Sequence, residues 1–231
     1  MSITIVVEPH PLLDAGAFVI RCAQPCAELA TPAAIATLAE PDAAAPLASS
    51  DAVRIAVRDL LRHGGYKPSG RGKPASEYLA AALAKREFPR INALVDACNV
   101  VSLHSGLPIS LVDLDRLDRL DRLDRLDRLD RLDRSAPLAI RIAPPATTYV
   151  FNPSGQTIDA SGLVCLHDAQ GPTATPIKDA QRTKTHDATV AALVILWGTR
   201  ALPGRTAEAT RWYRALVPAI AGATVEDVTL A

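Results

Sequence analysis

Between Leu114 and Arg134 the chain repeats Leu-Asp-Arg seven times without a change, and this run limits how the remainder can fold. In an α-helix a three-residue period turns 300° per repeat, so successive leucines step 60° around the axis. After six repeats they have circled it once, which leaves no straight apolar face to dock on a core. Nor does the period match the 3.5 residues of a coiled coil. Asp–Arg pairs at i,i+4 contribute roughly 0.2–0.5 kcal/mol each, while like charges at i,i+3 offset part of that gain. The run is expected as a marginal, solvent-projecting helix of about 31 Å. It reads as a surface insertion that arose by duplication of a short coding unit. A partner-binding helix is the functional alternative.

The core must come from the flanking sequence. A chain of 231 residues suffices for one domain with a single buried core. Aromatics are 4% of the chain against 48% hydrophobic residues, so Ala, Val, Leu and Ile have to fill that core. Net charge is zero, which excludes a global attraction to nucleic acid or membrane and leaves local patches. No run of 18 apolar residues occurs and no basic-then-apolar leader opens the sequence, so a cytoplasmic protein without a membrane span is expected. Cys22, Cys26, Cys98 and Cys165 are scattered, and no His stands at metal-finger spacing from the first two. Reduced thiols are expected, with no metal and no cofactor.

Along the chain, "ITIVV" and "AFVIRC" read as strands, followed by an Ala- and Pro-rich stretch of short helix or loop. "SSDAVRIAVRDLLRHGG" reads as a helix capped by Ser50 or Asp51, with an apolar face of Val53, Ala56, Val57, Leu60 and Leu61. Its other side carries Arg54, Arg58 and Arg62, a basic stripe that is either a solvated face or an RNA contact. "SGRGK" resembles a phosphate loop and fails as one: no Gly stands five residues before Gly72, and Pro74 replaces the Ser or Thr. Helices are expected over residues 76–86 and 90–104, and "SGLP" ends the second. Beyond the repeat, "PLAIRIA", "TTYVFN", "QTID" and "GLVCLHD" read as strands, and "TVAALVILWG" as a strand buried on both faces. "TAEATRWYRALVPAIAG" reads as a closing helix capped by Thr206. Helices before clustered strands give an α+β class.

With the repeat reduced to one copy, the sequence reads "INALVDACNVVSLHSGLPISLVDLDR…APLAIRIA". Asn92, Val95-Asp96, Asn99, Gly106 with Pro108, Asp113-Leu114-Asp115 and Arg141 then resemble the editing domain of the bacterial phenylalanyl-tRNA synthetase β subunit, the B-three/B-four unit, which also occurs as free-standing proteins. "GKPASEYL" upstream and "GLVCLHDAQGPTATPIKDAQRTKTHDAT" downstream resemble the free-standing branch. The resemblance spans about residues 55–200. It implies one α+β domain of layered β-sheets with packed helices, the repeat lengthening a loop, and a pocket that hydrolyses the ester of a mischarged tRNA. Departures fall on the pocket: Cys98-Asn99 stands for a Thr-Asn pair, Ser110 for a His and Gln181 for a Glu. They bear on selection of tyrosine rather than on the hydrolysis.

An aminoacyl ester is already activated, so its hydrolysis needs a positioned water and oxyanion donors more than a strong nucleophile. That suits a sequence without a G-x-S-x-G elbow or H-E-x-x-H helix. In "PIKDAQRTKTHDAT", Lys178, Arg182 and Lys184 offer charge for a phosphate or carboxylate, and Asp179 and His186 are the candidate catalytic groups. A solvated loop is the alternative for that stretch. Cys98 reads as a core residue before a nucleophile, and Asn92 and Asn99, flanking Asp96 on one helix, either bond neighbouring backbone or serve the pocket. The expected function is a trans-editing hydrolase that binds mischarged tRNA, with Cys98, Asn99, Ser110, Lys178, Gln181, Arg182 and Lys184 at the substrate. The alternative is a non-catalytic module that binds tRNA or a small amino-acid or nucleotide ligand.

Overall fold

The structure, a computed structural model, describes residues 3–117 and 138–231. Of the helix expected over the Leu-Asp-Arg run, Leu114–Arg116 form a short 3-10 turn, and residues 118–134 fall outside the described ones. Strands β1 (Ile3–Val7) and β2 (Leu13–Cys22) are followed by helices α1 (Ala33–Ala36), α2 (Asp51–Arg62), α3 (Ala75–Ala84) and α4 (Ala93–Ser105). Then come β3 (Ile109–Asp113), β4 (Ala139–Ile142), β5 (Thr148–Val150), β6 (Thr157–Asp159), β7 (Val164–Asp168), β8 (Gly171–Ala174) and β9 (Ala191–Thr199). Helix α5 (Arg205–Leu216) and β10 (Ala223–Leu230) complete the elements. Eight strands form one mixed sheet in the order β3-β9-β2-β10-β1-β4-β7-β8, and β5 pairs with β6 in a separate hairpin. The class is mixed α and β, as the α+β reading expects.

Local chemistry explains the helices. The Ser50 hydroxyl accepts the Val53 N–H at 3.3 Å and starts α2, which buries Val53, Val57, Leu60 and Leu61. Asn92 caps α4 by accepting the Val95 N–H at 3.0 Å, and Gly106, at φ 68°, ends it in the left-handed conformation. At α5 the expected cap is wrong. Gly204, at φ 77°, occupies the cap, and Thr206 lies buried inside the helix. A side chain at Gly16 would strike Thr210, and one at Gly198 would strike Thr206. The two glycines let α5 lie close on β2 and β9, which turns Thr206 inward to the sheet.

All nine residues of β9 are buried, as the unbroken apolar run requires. Helices α2, α4 and α5 pack over the β3–β9–β2 end of the sheet. Each such Leu or Ile contributes about 1.5–3 kcal/mol on burial. Strand β10 was not expected, because "ATVEDVTL" alternates weakly and exposes Glu226 and Asp227. It lies centrally nonetheless, antiparallel to β2 and parallel to β1.

The sheet curls until its edge strands, β3 and β8, approach each other, and residues 175–184 bridge the gap. The Ser110 hydroxyl on β3 donates to the Thr175 carbonyl at 3.0 Å, and Val112 forms an antiparallel bridge with Lys184. Among the described residues, no helix is long and apolar enough to cross a membrane.

Candidate functional site

The closing segment is the polar stretch singled out in the sequence, and much of its polarity holds backbone in place. Asp179, half-buried, accepts the Thr175 N–H at 3.0 Å on one carboxylate oxygen and the Leu111 N–H at 3.3 Å on the other. Burial pushes its carboxyl above the usual range, against the pull of those hydrogen bonds. Arg182 makes a bidentate pair with buried Asp168, at 2.6 and 2.7 Å, and also donates to the carbonyls of Gly171 and Pro172. Its fork therefore pins the β7–β8 hairpin. Ser110, fully buried, accepts the Trp197 indole N–H at 2.9 Å. The carboxamide oxygen of Gln181 is sealed from solvent and has no hydrogen-bond partner among the described residues.

Lys178 and Lys184 are different. The Lys178 ammonium lies 4.6 Å from the centre of the Phe151 ring and 5.2 Å from that of Tyr78. No carboxylate pairs with it among the described residues. Its pKa falls below the usual lysine value, first through burial and then through the neighbouring Arg71 and Lys184. Lys184 donates to the Phe151 carbonyl at 2.6 Å, and burial lowers its pKa also. The loop backbone beneath is fixed: the carbonyl of Lys178 accepts from the Tyr149 and Thr175 hydroxyls at 2.7 and 2.8 Å. Exposed Tyr78 is held by its own hydroxyl, which donates to Gly70 O at 2.7 Å. The result is a group of three cations on a rigid floor with two aromatic rings.

His186 sits apart from this group, beside the root of the repeat. Its Nε2 lies 3.2 Å from Oδ2 of Asp113, and its Nδ1 accepts the Ala188 N–H at 3.3 Å. In that arrangement Nε2 carries the proton, and neither nitrogen has a free lone pair to act as a base. Asp113 also accepts the Thr189 hydroxyl at 2.5 Å and the N–H groups of Asp115 and Arg116 at 2.8 and 3.1 Å. It thus caps the first unit of the repeat, whose Leu114, with Leu117 of the next unit, is buried.

Cys98 lies in the core on α4, and burial pushes its thiol far up. Asn99 follows it, half-buried. The arginine stripe of α2 is matched by carboxylates. Arg54 pairs with Asp51 at 3.0 Å, Arg62 with Asp59 at 2.8 Å, and Arg58 makes two bonds of 2.6 Å with Glu77. The structure thus brings Lys178 and Lys184 together, leaves Asp179 and Arg182 as ties within the closing segment with Cys98 close enough to feel the Asp179 carboxylate, and keeps the stripe on carboxylates of its own. Arg71, Tyr78 and Phe151 are members that sequence reasoning missed. The signal was present: in so aromatic-poor a chain, "GRGK" near "EYL", and "YVFN", are places where aromatics and bases concentrate.

The fold and this group define a mixed α/β protein with a curled sheet and a basic, aromatic patch at its closure. A scan against protein-family models and a search of the curated proteins gave no match.

Proposed function

We propose that the chain is a binding module for single-stranded RNA, of the kind that grips the end of a tRNA. The observation behind this reading is the Lys178 ammonium over the Tyr78 and Phe151 rings, with Arg71 and Lys184 beside it and no carboxylate paired with it among the described residues. Cations meet phosphates, and an exposed ring offers a stacking surface for a base, which is the combination that single strands require. The resemblance to the B-three/B-four editing domain points to the same ligand. Fluorescence anisotropy with a tRNA acceptor-stem hairpin ending in an unpaired single strand tests it. Lys178→Ala is expected to weaken binding by about 1–2 kcal/mol and to reduce the salt slope by about 1. Unchanged affinity would sink the proposal.

Trans-editing hydrolysis is the second reading, favoured by the half-exposed His186 imidazole beside Asp113. Proton transfer there needs the ring to release its hydrogen bond from Ala188. Deacylation of tyrosyl-tRNA(Phe) separates the two readings: turnover that His186→Gln abolishes supports the hydrolase, and binding without turnover supports the module.

A further inference from the structure

Helices α2 and α3 begin at one cavity. Its volume is about 380 Å³, and Ser49, Ser50, Asp51 and Arg54 line it from the start of α2, with Ser76 and Glu77 from the start of α3. The helices are 12 and 10 residues long, so each sets roughly half a positive charge at this end. The first-turn N–H groups of Asp51 and Ser76 have no acceptor among the described residues. Pro74, at the cap of α3, offers no side-chain bond.

A second observation points to a ligand. Ser76 is 5% exposed, lines the cavity, and its hydroxyl makes no hydrogen bond among the described residues. With no partner among the described residues, this hydroxyl is available to donate to a group bound in the cavity. The two acids of the lining do not oppose an anion. Glu77 has both oxygens on Arg58, and the Asp51 side chain, 87% exposed, is turned outward onto Arg54.

We propose that this cavity binds a phosphate monoester, held by the amides of Asp51 and Ser76 and by the Ser76 hydroxyl. Helix N-termini suit such a dianion because their amides and dipoles both face it. The size fits a mononucleotide, at the small end of ordinary ligand sites. Phosphate enters here without any contact to Lys178, so the site stands whether or not the chain grips RNA.

Calorimetric titration with adenosine 5′-monophosphate, inorganic phosphate and adenosine tests it on the whole chain. The monophosphate and phosphate are expected to bind, and adenosine is not. Ser76→Asp, which sets a carboxylate in the phosphate's place, is expected to weaken binding roughly tenfold or more. Ser76→Ala, which removes one donor, is expected to weaken it roughly fivefold, and it serves if the aspartate variant does not fold. Absence of saturable phosphate binding, adenosine binding as tight as the monophosphate, or equal affinity in wild type and Ser76→Ala would each overturn the proposal.

Discussion

Glu77, in the first turn of α3, faces Arg58, in the middle of α2, through two parallel bonds of 2.6 Å. The pair is largely shielded, with side chains 21% and 16% exposed, and it fixes the angle at which the two helices meet. Removing one partner strands the other's charge. Arg58→Ala is expected to cost about 2 kcal/mol in a urea unfolding experiment, below the full penalty of a wholly buried pair. RNA affinity, measured at a temperature where the variant is folded, is expected to change little, because this guanidinium is already occupied.

His167 gives the protein an acid limit. Burial, with Arg141 second, lowers its pKa to about 4 from 6.5, and its Nε2 is sealed without a partner among the described residues. The folded state therefore binds fewer protons than the unfolded chain between those values. Stability from this group is complete above pH 6.5, declines as pH falls, and levels off below about 4. The total is about 3 kcal/mol. Unfolding free energies at pH 7 and 4.5 are expected to differ more in wild type than in His167→Gln; equal differences would refute the assignment.

At the root of the repeat, cost and tolerance are predicted to lie within six residues of each other. Leu117 is 2% exposed, so Leu117→Ala is expected to cost about 2–4 kcal/mol. Deleting residues 120–134 removes the third to seventh units, whose three-residue period predicts no straight apolar face. The melting temperature is expected to stay within about 2 °C. A large drop would show that the distal units are part of the fold.

Thiol labelling separates the cysteines. Cys26, Cys98 and Cys165 are buried and Cys22 is half-buried, and burial raises all four thiol pKa values. An aromatic disulfide reagent is expected to titrate Cys22 first in the native protein and the other three only on unfolding. Early labelling of Cys98 would return it to consideration as a nucleophile.

What the sequence displayed were features with local causes. Ser50 announces its helix because a cap needs one side chain and an amide three residues on, whereas Asn92, expected inside a helix from residue 90, caps one that starts at Ala93. β9 is legible because nine buried residues leave an unbroken apolar run. Partners far along the chain were not legible. Gly204 takes the cap that Thr206 was expected to fill because Gly16 and Gly198 draw α5 against the sheet. The basic and aromatic patch joins residues near 71–78, 151 and 178–184, and the roles of Asp179 and Arg182 depend on β3 and β7 lying beside them. No spacing rule covers such distances.

The position of β10 decides when the sheet can assemble. Within the sheet's strand order this strand joins one flank, β3-β9-β2, to the other, β1-β4-β7-β8, and the far edges meet through residues 175–184. Both flanks draw on residues from widely separated parts of the chain, and the strand that unites them is residues 223–230. Until it pairs, the chain holds two incomplete sheets, each with an open edge able to recruit a foreign strand. Such distant pairing makes for slow folding. The interval before β10 docks is the period in which this protein is most exposed to aggregation.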